Sequence, residues 1–310
     1  MRRFASVDLG SNTVRLLLVE ETPTGDLRPL REERRIIRLG EGLHTHGRLL
    51  EHRIRLAVAT LKEFRDLCQS YGEVSIYAAA TSAVREAENR DEFLRRAETE
   101  AGIKVDVITW EEEAALTLEA VLWKLPLAER QSLVFDIGGG STEFILAQGR
   151  RVQATAGTRL GVVRLTERFL TRHPVDPEEF RRLEAFLAPE FAKVREALGS
   201  PCPEVLVGTA GTVTTLAALD LGIYPYDPEK IHGAVLKRSR VETLLEDLKR
   251  QSLEERLQLK PLEKGREDLI IVGACLALGA MRTFGCGALT VSENGLREGL
   301  LLKACGRVRV

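Results

Sequence analysis

The sequence predicts an α/β fold built twice over, as two lobes of related topology. Three observations carry that prediction. Apolar runs of strand length alternate with longer amphipathic runs along the chain. An Asp-x-Gly turn closes an apolar strand twice, at Asp8 and at Asp136, roughly 130 residues apart, about one domain length. Each turn leads into a second β-like run, and a duplicated half explains the echo with the fewest assumptions.

In the first lobe, residues 2–9 and 13–20 read as strands joined by Gly10-Ser11-Asn12. Leu49–Gln69 carries apolar residues at helical spacing, 73–80 reads as a strand, and 89–102 as a helix started by Asn89 or Asp91. A strand at 104–109 precedes a helix at 111–123 whose first turn holds Glu111, Glu112 and Glu113, where the helix dipole favours them. The pattern restarts near Pro126, dividing the chain into lobes 1–125 and 126–310. In the second lobe, strands are expected at 132–137, 142–149 and 151–157, and helices at Thr158–Leu170 and Pro177–Leu198, with Asp176 as cap. A strand at 204–207, a glycine turn and a helix follow. A buried helix near 266–285, a strand at 288–292 and a helix from Gly295 complete the lobe.

Composition removes several functional classes. Lys+Arg 45 against Asp+Glu 46 leave a net charge of −1, so no global field points to nucleic acid or to a membrane. No apolar run reaches the ~18 residues of a bilayer span, and Asp8 interrupts any secretory apolar core. Five scattered cysteines without a Cys-x-x-Cys pair suit reduced thiols in the cytoplasm. His44 and His46 have no metal-spaced companions. Arg159, Arg164, Arg168 and Arg172 form a solvated helical side in preference to an anion track.

Glycine lets a backbone approach a ligand closely or take positive φ, turning successive amides into an anion nest. Gly138, Gly139 and Gly140, followed by Ser141 and Thr142, suit a phosphate. No Gly-Lys-Ser/Thr is present, and the loop opens a strand-like run, so neither a Walker A loop nor a dinucleotide fingerprint fits. A third turn, from Gly208 through Gly211 and Thr212, leads into a helix whose first amides suit another phosphate.

Together these stretches resemble the exopolyphosphatase / guanosine pentaphosphate phosphohydrolase (Ppx/GppA) family, which has the duplicated actin-like (ribonuclease H-like) ATPase fold with a central cleft. The resemblance rests on "VDLGSNTVRLLL", "AATSAVREAENRDEFL", "EEEAALTLEAV", "FDIGGGSTEFIL", "GTAGTVTTLAAL", "GREDLIIVGACLALGAM" and "SENGLREGLLL", in family order from Val7 to Leu302. It implies hydrolysis of a terminal phosphoanhydride, with orthophosphate released from inorganic polyphosphate or from guanosine pentaphosphate. It assigns Glu113 as the base. Gly10, Ser11, Asn12, Arg85, Gly138, Gly139, Gly140, Ser141, Thr142, Gly211 and Thr212 become phosphate ligands. Asp136 and Glu143, joined by Asp8, become ligands of a divalent cation, Mg2+ or another, with K+ as a further ion. It also returns the last helix, 295–310, to the first lobe. A homodimer is the default assembly. Rival readings are an actin-like kinase and a hydrolytically inactive alarmone-binding regulator.

Two departures stand out. The family commonly has Gly before the glutamates and Arg after "EEA"; this chain has Trp110 and Ala115. Trp110 is expected to fill a gap in the core. The missing arginine weakens the grip on a long polyanion, and without the extra C-terminal domain of longer relatives, processivity is expected to be low.

Overall fold

The computed structural model describes residues 1–127 and 129–308; Ala128 and the end of the 295–310 segment lie outside the described residues. Two compact units form, Met1–Ala120 with Leu296–Val310, and Val121–Gly295.

The first unit contains β1 (Arg3–Leu9), β2 (Thr13–Glu21), β3 (Leu27–Ile36), α1 (Leu43–His46), α2 (Glu51–Gln69), β4 (Ser75–Ala80), α3 (Ser82–Glu86), α4 (Arg90–Ala101) and β5 (Val105–Val107), then α5 (Trp110–Lys124), which crosses the unit boundary. Its sheet runs β3-β2-β1-β4-β5, with β1, β2 and β3 antiparallel and β4 and β5 parallel to β1. Ile54, Leu61 and Phe64 of α2 and Phe93 of α4 close the core with Val7, Leu9 and Leu16. These positions follow the 3.6-residue period in the helices and the two-residue alternation in the strands.

The second unit contains β6 (Gln131–Ile137), β7 (Thr142–Gln148), β8 (Arg151–Thr158), α6 (Val162–Phe169), α7 (Pro177–Ala197), β9 (Val205–Thr209), α8 (Ala210–Leu221), α9 (Pro228–Ile231), β10 (Val235–Lys237), α10 (Arg238–Arg250), α11 (Leu253–Leu257), α12 (Ile270–Thr283) and β11 (Ala288–Val291). Its sheet runs β10-β11-β9-β6-β7-β8. Taken from the β8 edge, β8-β7-β6-β9-β11 repeats β3-β2-β1-β4-β5 in order and in strand sense. The Asp-x-Gly echo in the sequence is thus a duplicated sheet, with β10 added. Asp176 caps α7 by accepting from the amides of Glu178 (2.9 Å) and Glu179 (3.1 Å), with Pro177 at the first helical position.

The chain's last helix, α13 (Leu296–Ala304), belongs to the first unit, where Leu296 and Leu300 pack with Ala79, Ile108 and Leu116. Gly299 permits this approach, because a Cβ there would lie 2.2 Å from the Leu116 carbonyl oxygen.

The structure adds one strand to the sequence reading and changes two local expectations. Residues 27–36 form β3, although Arg28, Arg31, Glu32, Glu33, Arg34 and Arg35 hide any apolar alternation. As an edge strand, β3 is held by its ladder to β2 and is protected from further pairing by charge. Thr158 ends β8 and does not start a helix. Its hydroxyl donates to the Thr142 carbonyl at 2.8 Å, and α6 begins only after Gly161. Asn89 sits before α4, but its side chain bonds the backbone of Leu49, Oδ1 accepting from the amide (2.9 Å) and Nδ2 donating to the carbonyl (3.1 Å).

A fully buried arginine anchors α11. Arg256 donates to the carbonyls of Leu248, Gln251 and Glu267, and to Nδ1 of His173 at 3.1 Å. A guanidinium only donates, so His173 accepts as a neutral ring. Burial lowers Arg256 to about 10. Burial first, then the Arg256 charge, lowers His173 below its ordinary 6.5, against weaker opposing pulls from Asp268 and Glu179. Between its folded value and 6.5 the unfolded chain therefore binds more protons, and stability is lost as pH falls through that window. Melting curves from pH 8 to pH 5 should show a drop in Tm below about pH 6.5 that His173→Gln partly flattens.

Candidate active site

In the first unit, the β1–β2 hairpin places Asp8 directly opposite Arg15, and Asp8 Oδ2 accepts from Arg15 Nη2 at 2.6 Å and Nε at 3.1 Å. In the connecting loop the Ser11 carbonyl accepts from the Gly40 amide (2.8 Å). The Asn12 carbonyl accepts from those of Ile37 and Arg38 (both 2.9 Å). With the carbonyls turned to that segment, the amides of Ser11 and Asn12 have no backbone acceptor among the described residues. That is the polarity an anion requires.

The glutamate triplet separates into three environments. Glu111 is exposed. Glu112 closes a capping box, Oε2 accepting from the Thr109 amide (3.0 Å) while its own amide donates to Thr109 Oγ1 (3.2 Å). Glu113 is 7% exposed, and its Oε2 accepts from Arg85 Nη1 at 2.9 Å. The acidic first turn thus combines a cap with a buried carboxylate. Arg85, from α3, also donates to the Ile108 carbonyl at 2.9 Å, and its side chain is only 13% exposed. Its Nε and Nη2 are buried without a hydrogen-bond partner among the described residues. A cation left with unused donors is equipped to receive an oxyanion.

In the second unit, the glycine loop lies against the start of α6. The Gly138 carbonyl accepts from the Val162 amide at 3.1 Å, and the Gly139 carbonyl from that of Val163 at 2.8 Å. The Gly140 carbonyl accepts from Arg164 Nε at 3.3 Å. The amides of Gly139, Gly140 and Ser141 have no backbone acceptor among the described residues. None of these glycines has positive φ, and a Cβ on Gly138 would lie 3.2 Å from the Ser141 carbonyl oxygen. Gly161 permits close approach from the other side, because a Cβ there would lie 2.1 Å from the carbonyl carbon of Gly140. Thr142 was expected to face phosphate, but its hydroxyl donates to the Leu160 carbonyl, which ties the loop down.

Asp136 and Glu143 are directly opposite across β6 and β7, 8% and 3% exposed. Directly opposed side chains share one face of a sheet. This hairpin repeats the Asp8–Arg15 hairpin at the same offset, with a carboxylate in place of the arginine. Arg15 pairs with the first aspartate, and Glu143 stands opposite the second. Among the described residues no group of three or more His, Cys, Asp or Glu side chains is arranged to hold a metal ion. Two carboxylates alone suit Mg2+, which completes its shell from water and substrate oxygens.

The third turn, between β9 and α8, carries backbone strain. Ala210 sits at φ 68, in the left-handed region that non-glycine residues rarely occupy. The Arg266 guanidinium lies against Gly211, where a Cβ would come within 2.2 Å of Nη1. Thr209 donates to the Asn294 carbonyl at 2.8 Å, and Gly295 lies beside Thr209 and Asp136. Sequence reasoning passed over Arg15, Gly161 and Arg266 as site residues; Arg15 was legible as the hairpin partner of Asp8, whereas Gly161 and Arg266 reach their loops from distant segments.

The model of the Ppx/GppA phosphatase family matches residues 18–307. The chain belongs to this family. Among curated relatives, Exopolyphosphatase 2 of Mycobacterium tuberculosis is 32% identical over 318 residues, covering 99% of each chain. The crystal structure of the Aquifex aeolicus Ppx/GppA family member is 37% identical with a TM-score of 0.83, covering 99% of this chain and 98% of that one. An exopolyphosphatase structure from Cytophaga hutchinsonii is 29% identical with a TM-score of 0.89, covering 98% of both chains. The fold is the actin-like two-domain arrangement of the Ppx/GppA structures. Trp110, expected from the sequence to fill a gap in the core, is only half-buried, and its ring lies 3.9 Å from Arg85 Cζ.

Proposed function

We propose that this Ppx/GppA hydrolase is an exopolyphosphatase that removes the terminal phosphoryl group of inorganic polyphosphate. One observation carries the reading: the Glu113 carboxylate, buried and held against Arg85 at the start of α5. Glu113 takes a proton from water as the water oxygen bonds to the terminal phosphorus. The bond from that phosphorus to the bridging oxygen breaks, and the bridging oxygen leaves on the shortened chain. Arg85 Nε and Nη2 offset charge on the transferred group. The amides of Gly139, Gly140 and Ser141, and those of Ser11 and Asn12, hold phosphate oxygens, with Gly211 and Thr212 as a further phosphate contact.

Asp136 and Glu143 would hold a divalent ion, which supplies neutralisation of non-bridging phosphate oxygens when bound. Five free cysteines, the exposed Cys202 among them, suit the reducing cytoplasm. Among the described residues no helix is long and apolar enough to cross a membrane.

Side-by-side kcat/KM on polyphosphate and guanosine pentaphosphate tests the assignment. Polyphosphate is expected to give the higher kcat/KM; a clear reversal makes the chain a guanosine pentaphosphate phosphohydrolase. Transfer of phosphate to an acceptor in place of water would make it a kinase. Chelation by EDTA should remove activity and added Mg2+ restore it.

A further inference from the structure

The stack of Trp110 on Arg85 is not needed to fold α5, whose first turn is already capped by Thr109 and Glu112. Nor does it fill the core, since the ring is half-buried at the first residue of the helix. It does act on Arg85. One nitrogen, Nη1, is held by the Glu113 carboxylate and the Ile108 carbonyl, both at 2.9 Å. A guanidinium fixed through one nitrogen still swings about its long side chain, and each immobilised rotor opposes binding. An indole face at 3.9 Å removes that freedom without taking up a guanidinium N–H. Nε and Nη2 are buried and without a hydrogen-bond partner among the described residues, so both donors remain for a ligand oxygen. An aromatic face also stabilises the cation without presenting an acceptor that would compete with phosphate.

We propose that Trp110 is a positioning residue that pre-orients the Arg85 guanidinium for a phosphate oxyanion of the substrate. The inference rests on the reading of Arg85 as a phosphate ligand, so the experiment separates the two.

Trp110→Leu, Trp110→Phe and Arg85→Ala are compared in steady-state phosphate release from polyphosphate, with Tm measured for each. Trp110→Leu should raise KM about three- to thirty-fold, the affinity equivalent of a cation–π contact, with kcat changed less than about twofold. Trp110→Phe, which keeps a ring face, should recover most of that loss. The chain has two tryptophans, so in a Trp123→Phe background the emission of Trp110 should change on titration with inorganic tripolyphosphate, with a midpoint that Arg85→Ala shifts to higher concentration. A KM for Trp110→Leu equal to wild type, or a fall in kcat that follows Tm and that phenylalanine does not rescue, overturns the positioning role. An unchanged KM in Arg85→Ala removes the phosphate role of Arg85, and the proposal falls with it.

Discussion

Replacing Glu113 with Gln is expected to lower kcat for phosphate release by about two to four orders of magnitude, the usual share of a positioned general base. The substitution keeps the shape and the acceptor oxygen that meets Arg85 Nη1 at 2.9 Å. It removes the charge and the capacity to take a proton. Removing one partner of a buried ion pair altogether costs about 3–5 kcal/mol, but the amide retains the hydrogen bond, so Tm should move by a few degrees at most. KM should stay level or fall, because Arg85 loses a competing anion. The neighbouring glutamate gives the contrast. Glu112→Gln weakens a capping box, costs about 1 kcal/mol or less, and should leave kcat within about twofold. Near-normal turnover in Glu113→Gln would remove Glu113 from the mechanism. An equal loss in Glu112→Gln would trace both effects to the helix start.

The second large effect is expected from Gly161→Ala. Its added methyl would sit 2.1 Å from the Gly140 carbonyl carbon and 2.3 Å from the Gly139 oxygen. Those are backbone atoms, so no side chain swings away to make room. Either α6 retreats, breaking the bonds from Val162 and Val163 to the loop carbonyls, or the loop rotates and its amides turn from the phosphate. Overpacking of this kind costs about 1–3 kcal/mol. Loss of one aligned oxyanion donor costs about 10²–10³ in rate. The variant should therefore lose more activity than stability. Gly287→Ala is the control, because nothing lies within 4 Å of its Cβ and its φ is not positive; both readouts should match wild type. A fully active Gly161→Ala enzyme would show that the loop is not braced by α6.

Much of the fold was legible because its signals are local. Apolar runs of strand length in β1, β2, β6 and β7, helical spacing in α2, and the Asp176–Pro177 cap are set by neighbours within a few residues. The strand β3 was not legible, since an edge strand dense in arginine and glutamate owes its conformation to hydrogen bonds with β2. The helix α10 was missed for a related reason: its buried Val241, Leu245 and Leu248 are a thin apolar stripe in a charged segment.

The candidate site divides along the same line. Sequence alone determined that two related β-hairpins carry glycine-bearing turns, that each turn follows an aspartate, and that an acidic helix start lies between them. Those are consequences of residue type at short range. Only the tertiary structure decided which glutamate of the triplet is buried, that Arg85 is its partner, that Trp110 covers that arginine, and that Gly161 must lack a side chain. Each of these depends on segments that the folded backbone brings together, and a contact between distant segments leaves no periodicity in the sequence that joins them.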